Sequence, residues 1–91
     1  RTRRHMMNLC VNSTFDCSIE DFQAMFDKFE EDFRKCASDW KISIVNDHEV
    51  IILANVTDME GLQEIMGSDE MTQWDADNNC VDVIYSLERI N

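Results

Sequence analysis

The sequence predicts a small α+β domain running strand–helix–strand–strand–helix–strand, with a four-stranded antiparallel sheet and the helices on one face. Three observations predict it. Phenylalanines recur at helical spacing between residues 18 and 37. An unbroken apolar run occupies Val50-Ile51-Ile52-Leu53-Ala54. A stretch of alternating apolar residues closes the chain between Cys80 and Ile90.

From Met7 to Phe15, Met7, Leu9 and Val11 alternate with Asn8, Cys10 and Asn12, the period of a half-buried strand. From Ser18 to about Ala37, Ile19, Phe22, Phe26, Phe29, Phe33 and Cys36 fall on one helical stripe. Ser18 is placed to cap this helix, Glu20 and Asp21 suit its first turn, and Arg34 and Lys35 suit its last. Trp40 to Val45 reads as the second strand, and Glu49 to Val56 as the third. Asn46-Asp47 between them tolerates the positive φ of a tight hairpin.

The third strand is apolar on both faces, so both faces need cover. One helical layer covers one face; a second copy of the sheet is the simplest cover for the other. Thr57-Asp58-Met59-Glu60 matches a capping box and opens a helix with Leu62, Ile65 and Met66 inward. Gly67 suits a left-handed helix end, and Ser68 caps a further short helix carrying Met71 and Trp74. Asp77-Asn78-Asn79 is a turn. In the closing strand, Val81, Val83, Tyr85 and Leu87 share one face, and Asp82 and Ser86 the other. Two right-handed crossovers put the first and third strands in the middle of the sheet.

The chain of 91 residues is one domain, and it contains no Pro and two Gly, which leaves no linker. Residues 1–6, beginning Arg1-Thr2-Arg3-Arg4-His5, read as a cloning remnant, so residues 7–91 form the domain. The remaining bases, Lys28, Arg34, Lys35, Lys41 and Arg89, face nineteen acids. That balance excludes nucleic acid and anionic membranes as partners. No apolar stretch is long enough to span a bilayer and no signal peptide is evident. Cys10, Cys17, Cys36 and Cys80 form no C-x-x-C pair and read as reduced, small hydrophobes of a cytoplasmic protein.

Chemical motifs are sparse. Two isolated glycines build no phosphate loop, and no H-E-x-x-H occurs. Asp75-Ala76-Asp77-Asn78-Asn79 imitates a calcium loop but continues with Cys80 where glycine is needed, so it reads as a polar turn. No metal and no cofactor are expected. His48 follows the hairpin, where water is hard to exclude.

The Phe-rich first helix, the Asn-Asp hairpin, the broken helix Leu62-Gln63-Glu64-Ile65-Met66-Gly67-Ser68-Asp69-Glu70-Met71 and the closing strand Val83-Ile84-Tyr85-Ser86-Leu87-Glu88 together resemble the dimeric α+β barrel superfamily. It is a ferredoxin-like group that includes antibiotic-biosynthesis-type monooxygenases, haem-degrading monooxygenases and stress-responsive barrel proteins. The resemblance spans about residues 7 to 90. It implies a homodimer whose sheets close into a barrel, and a pocket between helices and sheet. Ile51 and Leu53 are the interface candidates, and the doubly apolar strand leaves open whether its Ile51 face or its Ile52 face meets the partner. Asn8 and Trp74 match an Asn and a Trp used by the haem-degrading members, but no His stands between Met59 and Asn79 to bind iron. Ligand-binding candidates are Asn8, Phe22, Phe26, Met66, Trp74 and Tyr85, with Met25 and Met71 as pliable wall residues. Three function classes follow: a barrel dimer binding a small apolar or aromatic molecule, a cofactor-independent monooxygenase- or isomerase-like enzyme, and an acidic protein-interaction module.

Overall fold

The structure, a computed structural model, describes residues 6–91; the cloning-remnant reading of residues 1–6 therefore lies, Met6 apart, outside the described residues. The elements are β1 (Leu9–Thr14), α1 (Ile19–Cys36), β2 (Ala37–Asn46), β3 (Glu49–Val56), α2 (Met59–Met66), α3 (Asp69–Asp77) and β4 (Val81–Ser86). The sheet is antiparallel in the order β2-β3-β1-β4, so β3 and β1 are central, as the crossovers require. Among the described residues no helix is long and apolar enough to cross a membrane.

The phenylalanine stripe of α1 makes the core. Phe22, Phe26, Phe29 and Phe33 are buried with Phe15, Val50 and Met71. Phe26 stacks on Phe33 at 5.0 Å between ring centres and meets Trp40 edge-on at 5.7 Å. Phe15 stacks on Phe22 at 4.8 Å. Ser18 caps the helix by accepting the Asp21 N–H at 3.1 Å.

Local details depart from the sequence reading where a distant group intervenes. The second strand begins at Ala37 and not at Trp40, because the carbonyl of Cys36 accepts the N–H groups of Thr57 and Asp58 at 2.7 and 3.0 Å. That pins the end of α1 to the end of β3. The Thr57 hydroxyl also donates to the Cys36 carbonyl, so it is unavailable as a cap. Asp58 caps α2 instead, accepting the Gly61 N–H at 3.0 Å. A Cβ at Gly61 would stand 2.9 Å from the Cys36 sulfur, so glycine permits this close approach.

Gly67 has φ −96° and is not left-handed; a Cβ there would lie 3.2 Å from the Gln63 carbonyl. Ser68 caps α3 as its sequence indicates. The hairpin turn is Asp47-His48 and has no positive φ; the Asn46 side chain accepts the His48 N–H at 2.8 Å and shapes it. Among the described non-glycine residues only Asn79 has a positive φ, 49°, at the turn into β4.

Candidate functional site

Strand pairing decides which side chains share a face, because opposite residues in an antiparallel pair point the same way. Leu9, Val11 and Ser13 of β1 lie opposite Ala54, Ile52 and Val50 of β3, and opposite Ser86, Ile84 and Asp82 of β4. The helices cover this side. Between them and the sheet lies a cavity of about 100 Å³. Phe22, Met25 and Phe26 of α1, Met66 of α2 and Met71 of α3 form its helical wall. Ile84 lines it while 53 % exposed, which marks the β4 edge as its rim.

The surface of the cavity is almost wholly apolar, and four polar residues gather behind one end of it. Ser13, Asp75, Cys80 and Asp82 meet there, drawn from β1, α3, the turn and β4. Ser13 is only 2 % exposed, and its hydroxyl and the Cys80 thiol share a hydrogen bond at 3.4 Å. The thiol also points at the Asp82 carboxylate, 3.7 Å away. The backbone N–H of Cys80 donates to the Asp75 carbonyl at 2.8 Å, which holds the turn against the end of α3.

Burial pushes the Cys80 thiol up to about 12, reinforced by the charges of Asp82 and Asp75 and opposed by Ser13. It is a neutral hydrogen-bonding group here and no nucleophile. Burial also raises the Asp75 carboxyl above its ordinary 3.8, with Asp82 repelling its ionised form and Cys80 favouring it. A carboxyl pulled up in this way binds more protons folded than unfolded. Its ionisation therefore costs stability as pH rises from 3.8 through the folded value. Asp75→Asn is expected to remove that fall; parallel urea midpoints of variant and parent from pH 3 to 7 would check it, and superimposable pH profiles would refute it.

Of the sequence candidates, Asn8, Trp74 and Tyr85 lie outside the cavity. Asn8 acts as an extra rung between strands: its amide donates to the Val56 carbonyl at 2.9 Å and accepts the Val56 N–H at 2.8 Å. Trp74 packs edge-on against Phe22, 6.3 Å between ring centres, behind the cavity wall. Tyr85 sits on the other side of the sheet and is 56 % exposed. Phe22, Phe26 and Met66 line the cavity together. Exposed His48 sets a ring nitrogen 2.9 Å from the Cys17 carbonyl, away from the cavity. Among the described residues no group of three or more His, Cys, Asp or Glu could hold a metal ion.

The polar cluster was missed from sequence because its members are far apart, Ser13 and Cys80 by 67 positions. One signal was present. Ser13 continues the Leu9, Val11 alternation, so a hydroxyl stands where an apolar residue belongs.

The opposite face of the sheet carries Ile51 and Leu53 at its centre. Leu53 lies opposite Cys10 and Lys41, and Ile51 opposite Asn12 and Ser43. Cys10 and Asn12 in turn face Tyr85 and Val83 of β4. Val83 is 45 % exposed, and no described element covers this side.

Comparison with known proteins shows the fold. No family model matches this sequence, and no curated protein matches it significantly. Among solved structures, the crystal structure of SnoaB, a cofactor-independent oxygenase from Streptomyces nogalater, resembles it with a TM-score of 0.61. The likeness covers 92 % of this chain and 94 % of that one at 9 % identity. The two chains share a ferredoxin-like α+β fold.

Proposed function

We propose that two copies of this chain join through the open faces of their sheets, and that each copy holds a small apolar molecule between helices and sheet. The cavity carries the ligand half of this reading: its surface is almost wholly apolar, walled by Phe, Met, Leu and Ile. The apolar residues of the open face, Ile51 and Leu53 at its centre with exposed Val81, Val83 and Tyr85 on β4, support the dimer half. Native mass spectrometry of freshly purified protein tests both. The expected species is a dimer carrying a small mass that denaturing conditions release. A bare dimer would remove the ligand half, and a bare monomer at micromolar concentration would remove both.

The likeness to a cofactor-independent oxygenase, taken with the raised Asp75 carboxyl at one end of the cavity, favours a second reading. In that reading Asp75 accepts a proton from an activated CH2 of the substrate. The carbanion passes electrons to O2, a C–O bond forms, and the hydroperoxide loses water to leave a ketone. One oxygen atom enters the product and the other leaves as water. The substrate supplies the electrons, and the protein supplies a dry, oriented site. Oxygen uptake with quinol-like substrates that Asp75→Asn abolishes would support it; uptake unchanged in that variant would count against it.

A further inference from the structure

We infer that the occupant of the cavity is an amphiphile, with a tail of about six carbons inside and its polar head in water at the β4 rim. This rests on the cavity being a ligand site and adds which part of the ligand it takes.

The interior rejects polar atoms. Its surface is almost wholly apolar. The Ser13 hydroxyl behind it is engaged with the Cys80 thiol at 3.4 Å. A hydroxyl or amine drawn inside would lose its hydrogen bonds to water and gain none. Volume limits the part that enters. Apolar protein cavities of about 150 Å³ take one benzene. At about 100 Å³ this one takes a short chain or a single ring, roughly five or six carbons. Met25, Met66 and Met71 in its wall adapt to small differences in outline, but a fused pair of rings exceeds the space.

The mouth decides what the outer end of the ligand must be. Ile84 lines the cavity while 53 % exposed, so that end meets water. A polar group there keeps its hydrogen bonds to water, whereas a hydrocarbon end would stay hydrated at a cost. β4 is an edge strand with β1 as its one neighbour, so the sheet does not close over the mouth. Ile84 lies on the same side as Val11 and Ile52, away from Ile51 and Leu53. Two copies paired through their open faces therefore leave the mouth free.

The test uses straight-chain alcohols from 1-butanol to 1-decanol, titrated into protein labelled at the methionine methyl carbons. Met25, Met66 and Met71 line the cavity, whereas Met6 and Met59 are 52 % and 44 % exposed and serve as controls. Saturable shifts of the three lining methyls are expected, with affinity rising about threefold to fourfold per added CH2 up to about six carbons. Longer alcohols should gain little more, because the further carbons stay in water. A hexyl chain bearing a nitroxide at its polar end then locates the head. It should broaden the amide signals around Ile84 more strongly than those of Ala37 and Trp40, which line the cavity from β2 on the opposite edge of the sheet. No saturable methyl shift with any alcohol would overturn the ligand site and the inference with it. Affinity that is flat from 1-butanol, or still climbing at 1-decanol, would overturn the tail length while the site stands. Broadening centred on β2, or spread evenly over the chain, would overturn the placement of the head.

Discussion

Replacing Phe26 with alanine is expected to cost about 3–5 kcal/mol and lower the unfolding midpoint by roughly 12 °C or more. The ring is 7 % exposed in the middle of α1. It stacks on Phe33, meets Trp40 edge-on and lies 6.4 Å from the Phe22 ring centre, so its loss breaks the aromatic row at its centre. It also lines the cavity, and truncation enlarges a void that already exists. The surroundings are helix on one side and central strands on the other, and neither collapses easily into the space. A domain of this size has about 5–15 kcal/mol in total, so the variant stands near the edge of folding. Phe26→Leu keeps most of the volume and should lose much less. Urea titrations at one fixed protein concentration measure the difference; a Phe26→Ala midpoint shift worth under about 1 kcal/mol would show that the row is not the core.

The same residue shows why so much of the fold was legible. A stripe of aromatic side chains at steps of three and four has one helical reading, and its burial needs a sheet opposite. The run from Val50 to Ala54 marked β3 as central, and Ser18 and Ser68 marked two helix starts, all from nearest-neighbour chemistry. The errors fell where a tertiary partner decides between local options. Thr57 and Asp58 are both competent caps, and the Cys36 carbonyl, 21 positions back, takes the threonine hydroxyl and leaves the aspartate to cap. Gly67 permits a left-handed end, but the turn into α3 keeps its φ at −96°. Asn46 shapes its hairpin with its side chain, so the turn shifts by one residue with no positive φ.

The candidate site was half legible for a related reason. Its apolar wall comes from the core stripe, so Phe22, Phe26 and Met66 could be named from periodicity. The polar cluster behind it depends on register. Pairing Ser13 with Asp82 brings a hydroxyl and a carboxylate to the same side of neighbouring strands, and nothing local to either residue sets that pairing. Asp75 read as the start of a polar turn. It is the last acid of α3 to face the sheet, beside a thiol that the alternation of β4 did not include.

Leu53→Asp is expected to convert the proposed dimer to a monomer that keeps its secondary structure, whereas Ile52→Asp should unfold the chain. The two residues are adjacent and opposite in face. Ile52 lines the cavity beneath the helices, and a carboxylate there enters the core with no partner. Leu53 lies between Cys10 and Lys41 on the open face, where a single copy leaves room for a solvated charge. In a two-fold interface each substitution occurs twice, so two carboxylates would be desolvated near each other, at several kcal/mol apiece. Ile51→Asp, opposite Asn12 and Ser43, should act in the same direction. Light scattering after size exclusion gives the mass, and far-ultraviolet circular dichroism shows whether the monomer is folded. A parent chain that is already monomeric, or a Leu53→Asp dimer of unchanged stability, would mean that the apolar centre of β3 meets something other than its own copy. The unfolding of Ile52→Asp does not depend on that result, because Ile52 packs against the phenylalanine core within one chain.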